Sequence, residues 1–194
     1  TFRNDPDRIE VGTFMIAAAM LPGSSLRLIG CNAEHLGDFP NLLRQTGTKV
    51  DVEGEVISVQ APDILKPVSI TTDIYPGFPT DLQAQWATML TQAHGDSTVT
   101  DTVYFDRFSY VPELSRLGAQ MKLTKNTVHI QGPKVLEGAS VMSTDLRASV
   151  SLVLAGMAAK NTSEILRIYH LDRGYESLED KLNAVGAKLS RAQE

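Results

Sequence analysis

A unit written three times constrains what this 194-residue chain can fold into. A glycine closes a short amphipathic stretch at Gly47 (LLRQTGTKVDV), Gly118 (ELSRLGAQMKL) and Gly186 (KLNAVGAKLSR), at spacings of 71 and 68 residues. Ahead of each lies an apolar run that begins near an aspartate: Asp7 before RIEVGTFMIAAAML, Asp81 before LQAQWATML and Asp145 before LRASVSLVLAGMAA. Self-similarity at such a period marks a supersecondary unit stacked on copies of itself. Two of the copies also carry matched charged residues.

The segments after the first two glycines, TKVDVEGEVISVQAP and AQMKLTKNTVHIQGP, alternate apolar and polar residues around turns at Glu53-Gly54 and Lys125-Asn126. Each reads as a half-buried hairpin. Each ends in a proline 15 residues past its glycine, Pro62 and Pro133. After Gly186 only AKLSRAQE remains, room for one strand. Further strands are expected at 25–30, 68–74, 98–104, 139–144 and 163–170. The helices FMIAAAML and ASVSLVLAGMAA are apolar nearly all round and should be buried on every side, whereas SLEDKLNAVGA keeps a polar face. The expected fold class is therefore α/β, a three-fold repeat of βαβαββ units around buried helices. The repeats span about 1–62, 63–133 and 134–194, the last incomplete, in one domain.

A hydrophobic share of 42%, a charged share of 21% and a net charge of −5 describe an ordinary globular domain with no basic surface for nucleic acid. The apolar runs are too short to span a membrane. A lone Cys31 excludes an internal disulfide and fits a reducing compartment, so the expected location is the cytoplasm. No signal peptide is visible, and a chain that starts at Thr1 reads as part of something longer.

Thr80-Asp81-Leu82 and Thr144-Asp145-Leu146 stand 64 residues apart, each at the start of an apolar helix. Thr or Asp there is first of all an N-cap, as at Asp7. Asp106-Arg107 and Asp172-Arg173 each follow a strand, where such a pair is often a structural ion pair. Yet the same corner of two repeats presents an Asp and an Arg, and Arg147 adds a third guanidinium. Three arginines with two or more aspartates on one rim suit an anionic substrate and proton transfer. Copy one has Asn32 and Glu34 at that corner and reads as scaffold. His35, His94, His129 and His170 show no metal spacing, although His170 sits beside the Asp172-Arg173 corner. Trp86 reads as core, and there is no phosphate loop or Ser/His/Asp signature.

The segments YPGFPTDLQAQ, VYFDRFSYVPELSRLGA, STDLRASVSLVLAG and RIYHLDRGYESLEDKLNAVGA resemble the bacterial UDP-N-acetylglucosamine 1-carboxyvinyltransferases, a group of enolpyruvyl transferases. The resemblance runs from about Asp7 to about Ser190 and covers only the C-terminal half of that family's pattern. It implies an inside-out α/β barrel, with the helices at the centre. It also implies transfer of the enolpyruvyl group of phosphoenolpyruvate to the 3-hydroxyl of UDP-N-acetylglucosamine in peptidoglycan synthesis, by addition and elimination, without metal or organic cofactor. By the same resemblance Asp81 is the general base that contacts the sugar hydroxyl, Val103 touches the nucleotide sugar and Asp145 takes part in proton transfer. Arg107, Arg147 and Arg173 form the cationic wall for phosphoenolpyruvate. The family's N-terminal domain, with its mobile loop and acid residue, has no counterpart here, and Cys31 lies in a different context from that acid cysteine. The isolated chain is therefore expected to be inactive. A non-catalytic module of the same fold and the sister 3-phosphoshikimate enzyme stay open as alternatives.

Overall fold

The structure, a computed structural model, describes residues 4–192. Its first third runs α1 (Arg8–Met20), β1 (Ser25–Ile29), α2 (Phe39–Gln45), β2 (Lys49–Glu53) and β3 (Val56–Gln60). Then come β4 (Ile70–Thr71), α3 (Gln83–Leu90), β5 (Gly95–Thr100), α4 (Tyr110–Arg116), β6 (Gln120–Thr124) and β7 (Thr127–Gly132). The last third holds β8 (Ser140–Met142), α5 (Leu146–Ala158), β9 (Glu164–Leu166) and α6 (Leu178–Ala184). Short 3-10 turns stand at Ala33–Leu36, Thr80–Leu82 and Ile168–Arg173.

The central helices α1, α3 and α5 carry no continuous polar stripe, and they bury nearly everything they have. All eight residues of α3 are buried, as are Gly12–Met20 of α1 and Ala148–Ala155 of α5. Such helices need cover on every side. They find it in one another and in three small sheets, of order β1-β3-β2, β4-β5-β7-β6 and β8-β9. Trp86 lies fully buried on α3 against Phe39 and Phe78, with ring centroids 5.9 and 5.2 Å away, so its reading as core holds. Among the described residues the sheets do not join into a closed barrel; helices inside and sheets outside is the arrangement found.

The repeated glycines do the same work three times. Gly47, Gly118 and Gly186 have φ of +92°, +97° and +107°, the left-handed region that ends a helix at low cost only with glycine. The amide of the next residue reaches back over the last turn in two copies, Ala119 to the Leu114 carbonyl and Ala187 to the Leu182 carbonyl, both 3.1 Å. The hairpins lie where expected, with Gly54 and Lys125 at positive φ in their turns.

Several strands are shorter than their apolar runs. The run 98–104 yields a strand that ends at Thr100, because the next residue, Asp101, turns the chain; 68–74 and 163–170 keep only Ile70–Thr71 and Glu164–Leu166. The strand expected after Gly186 does not form among the described residues, and its positions 193 and 194 lie outside them. A strand needs a ladder partner for its backbone groups. In the second sheet β6 pairs with β7, but no equivalent of β7 borders the third sheet among the described residues. Leu189 is held instead by Asn183, whose amide side chain bonds both its N–H and its carbonyl at 2.8 Å.

Candidate functional site

Asp81 lies in the 3-10 turn ahead of α3, and its carboxylate caps nothing. It turns instead toward two guanidinium groups: Arg107 Nη1 stands 2.5 Å and Arg147 Nε 3.3 Å from its Oδ1. The three side chains come from the α3 entry, the loop after β5 and the first turn of α5. They meet because α3 packs against α5 at the centre. All three keep a partial window to solvent, with side chains 35%, 23% and 17% exposed, so a ligand can reach them. Burial alone would lift the Asp81 carboxyl; the Arg147 charge and the Arg107 hydrogen bond outweigh it and hold the group below its ordinary value.

Asp81 also lines a recess of about 160 Å³ shared with Val103, Thr80, Arg8, His35 and Tyr75. Val103 is 43% exposed on the loop after β5, and Ile74, Tyr75, Tyr104 and Phe105 are more exposed still. Arg8 lies 5.5 Å over the Tyr75 ring and Arg107 4.9 Å over the Tyr104 ring. Aromatic faces beside cations, with the Asp73 and Asp81 carboxylates at the same recess, suit a ligand with apolar, hydroxyl and anionic parts. The larger concavity, about 790 Å³, lies elsewhere, between β9, α1, α5 and the 186–189 segment. Its lining carries one charged residue, Lys188, so the recess at Asp81 is the one equipped for acid-base and anion chemistry.

The remaining candidates are not all drawn into this cluster. Asp145 does cap its helix: Oδ1 accepts from the Arg147 and Ala148 amides at 2.8 and 2.9 Å, and Oδ2 accepts from Ser109 Oγ at 2.6 Å. Arg173 is exposed and makes no hydrogen bond or ion pair among the described residues. Its neighbour Gly174 lies against Leu146, so a Cβ there would meet Leu146 Cδ2 at 2.7 Å. That contact sets the Arg173 loop beside the start of α5. Neither Asp-Arg corner is an internal ion pair. Arg107 leaves Asp106 for Asp81, and Asp172 is held by Arg191, with contacts of 2.9 and 2.5 Å. In copy one Asn32 accepts from the Glu34 amide at 3.1 Å and opens the 3-10 turn, in keeping with a scaffold role. Cys31 is buried, and among the described residues no group of three or more His, Cys, Asp or Glu could hold a metal. The His170 ring stacks by Tyr169 with its Nδ1 buried and unpartnered. No helix is long and apolar enough to cross a membrane among the described residues.

Two polar groupings escape the pattern of apolar runs. Asp101 is completely buried and collects side-chain and backbone donors from three segments around the site. Deeper, Thr13 of α1, Gln85 of α3 and Tyr175 converge: Thr13 Oγ1 is 2.8 Å from the Tyr175 hydroxyl, and Gln85 Nε2 is 3.2 Å from Thr13 Oγ1. Burial pushes the Tyr175 hydroxyl up, partly offset by the Thr13 hydrogen bond and the Arg147 charge. This knot ties all three repeats together directly behind Arg147. Its only sequence signal is polar residues inside helices that are otherwise apolar.

Comparison with known proteins places the fold in a family. The family model described as EPSP synthase (3-phosphoshikimate 1-carboxyvinyltransferase) matches residues 1–182. UDP-N-acetylglucosamine 1-carboxyvinyltransferase of Chlorobaculum parvum is 53% identical over 192 residues, 99% of this chain and 45% of its own length. The protein of that name from Desulfosudis oleivorans is 48% identical over 186 residues, 96% of this chain and 44% of its own length. Among solved structures, the enolpyruvyl transferase NikO from Streptomyces tendae superposes with a TM-score of 0.86 at 30% identity, over 95% of this chain and 44% of that one. EPSP synthase from Acinetobacter baumannii gives 0.73 at 17% identity, over 94% of this chain and 46% of its own, a likeness of fold. The chain spans about half the length of the curated relatives it matches. Matched by the family model over most of its length and by these relatives along nearly all of it, this chain belongs to the EPSP synthase family of enolpyruvyl transferases.

Proposed function

We propose that this chain is one half of an enolpyruvyl transferase that joins phosphoenolpyruvate to the 3-hydroxyl of UDP-N-acetylglucosamine and releases phosphate. The observation that carries the reading is Asp81, a partly exposed carboxylate freed from capping and flanked by Arg107 and Arg147. In the addition step the sugar oxygen bonds to C2 of phosphoenolpyruvate, the hydroxyl proton passes to Asp81, and the π electrons of the C2–C3 double bond take a proton onto C3 from the acid residue of the complementary domain. In the elimination step the C2–O bond to phosphate breaks, C3 returns a proton and the double bond is restored.

The two guanidinium groups favour the ionised form of Asp81 but weaken it as a base. An incoming phosphate or carboxylate competes for the same guanidinium donors. As they turn to the substrate, the Asp81 carboxyl loses part of what depresses it and becomes a better proton acceptor. Arg173, exposed and without an ion-pair partner among the described residues, is the remaining arm of the cationic wall. Val103 supports the sugar nucleotide from the loop after β5. Asp145 serves proton transfer only if Ser109 releases its Oδ2. The reading needs no metal or organic cofactor. Its partners are the two substrates and the complementary N-terminal domain of the family, which supplies the other wall of the cleft. It places the reaction in peptidoglycan synthesis, in the cytoplasm.

The identity of the relatives favours UDP-N-acetylglucosamine over shikimate 3-phosphate, since proteins named for the first substrate are about half identical to this chain and the EPSP synthase superposed here only 17%. The test is a competition assay on the protein expressed from its complete reading frame. Phosphate release with UDP-N-acetylglucosamine, undiminished by shikimate 3-phosphate, supports the reading; release with shikimate 3-phosphate alone overturns it. Absence of turnover with either acceptor would leave the non-catalytic module. The isolated 194-residue chain is expected to turn over neither.

A further inference from the structure

Among the described residues, Asp101 is the only charged residue of the fully buried polar side chains, at 0% exposure. Its Oδ1 accepts from Thr72 Oγ1 at 2.7 Å and from the Val103 and Tyr104 amides at 2.9 and 2.8 Å. Its Oδ2 accepts from Thr80 Oγ1 at 2.6 Å and, at 3.4 Å, from Gln83 Nε2. A turn at the end of β5 explains the two amides, because an aspartate routinely bonds the backbone two and three residues on. It does not explain the second oxygen, which reaches back to residues 21 and 18 positions earlier.

Those two residues flank Asp81. Thr80 precedes it, and its hydroxyl oxygen also stands 3.4 Å from Arg107 Nη1. Gln83 follows it, and its Nε2 donates to the Arg107 carbonyl at 3.1 Å. On the other side, the Tyr104 amide bonded to Asp101 fixes the residue whose ring lies under the Arg107 guanidinium. Both ends of the Asp81–Arg107 pair thus hang on one buried carboxylate.

Among the described residues the other repeats lack this brace. The register of the sheets makes Gly30 and Arg167 the equivalents of Asp101, each one residue beyond the paired end of β1 and β9. Both have positive φ, +76° and +58°, and turn the chain by backbone conformation. A buried ionised carboxylate is costly unless its oxygens are filled with donors. Five donors satisfy it here, far more than a turn needs.

We propose that Asp101 is the positioning residue of the site, holding Asp81 and Arg107 in the geometry that the reaction uses. This rests on the proposed transferase reading for its functional consequence, but not for its structural one. The test is the Asp101→Asn variant of the protein expressed from its complete reading frame, read in two ways. Carboxyl-carbon NMR follows the titration of Asp81, which faces Arg107 and Arg147 and lies near Asp101. Removing a neighbouring negative charge alone would lower the Asp81 midpoint. Releasing Arg107 from its place raises it. A raised midpoint is the expected result; an unmoved or lowered one overturns the proposal. In parallel, kcat is expected to fall about tenfold to a hundredfold with a smaller change in KM.

If the wild-type protein turns over neither acceptor while the Asp81 midpoint still rises in the variant, the transferase reading fails and the positioning role stands. If Asp101→Asn does not fold, Thr80→Val removes the hydroxyl between Asp101 and Arg107 while leaving the buried carboxylate, and the same rise is expected. A folded Thr80→Val protein with an unchanged Asp81 midpoint overturns the proposal as well.

Discussion

The second and third repeats open their central helices with the same three residues, Thr-Asp-Leu, and put the aspartate to opposite uses. Asp145 bends onto its own helix and accepts from the free amides of Arg147 and Ala148. Asp81 sits in a 3-10 turn and bonds no backbone amide, so its carboxylate is left to Arg107 and Arg147. The corners that follow differ in the same way. Arg107 is drawn into the site and propped on Tyr104, whereas Arg173 stands in solvent and its neighbour Asp172 is taken by Arg191. A repeated motif therefore sets position in the fold, and the nearest competing donors set the role.

The largest effect that can break this comparison is on turnover. Asp81→Asn, in the protein expressed from its complete reading frame, is expected to lower kcat about 10²- to 10⁴-fold with the fold intact. Ordinary kinetics in a folded variant would make the two aspartates alike. Next, Arg173→Ala should raise KM for phosphoenolpyruvate about tenfold to a hundredfold, the range for a lost charge-assisted bond. Its thermal midpoint should not move, because Arg173 makes no hydrogen bond or ion pair among the described residues; a large loss of stability would show that its role is structural.

Stability should sort the aspartates the other way round. Asp145→Ala is expected to cost about 0.5–2 kcal/mol in denaturant unfolding, the usual cost of a lost N-cap. Asp81→Ala should cost less, and an equal loss would mean that Asp81 also serves its helix. The smallest effect is on pH dependence. Burial would raise the Asp101 carboxyl, but the Thr80, Tyr104, Thr72 and Val103 donors hold it below the ordinary value. Its stabilisation is therefore present above the ordinary aspartate range and lost as pH falls through the lower folded value. Wild type and Asp101→Asn should thus differ in unfolding free energy near pH 7 and converge below about pH 4. A gap that stays constant with pH would remove the ionised carboxylate from the account.

Much of the architecture is legible in the chain because its signals are local. The apolar faces of α1 and α5, the glycines that need φ near +100° and the alternating hairpins each depend on residues a few positions apart. The same locality explains where strand lengths go astray. TVTDTVY carries a uniform β pattern, yet Asp101 in its middle bonds Thr72 and Thr80 and closes the strand at Thr100. AKLSR carries a strand pattern too, but a strand exists only with a partner, and Asn183 takes the backbone groups of Leu189 instead.

The sequence by itself determined the three-fold plan, the buried helices, the capping glycines and the family, together with Asp81, Arg107 and Arg147 as residues to watch. Only the tertiary structure decided that Asp81 escapes capping while Asp145 does not, that Asp172 belongs to Arg191, and that Asp101, Thr80 and Gln83 brace the site. The physical reason is competition. A carboxylate goes to whichever donors stand nearest in space, and the side-chain donors that settle the roles of Asp81, Asp101 and Asp172 lie 18 to 66 residues away along the chain, beyond the reach of any local pattern.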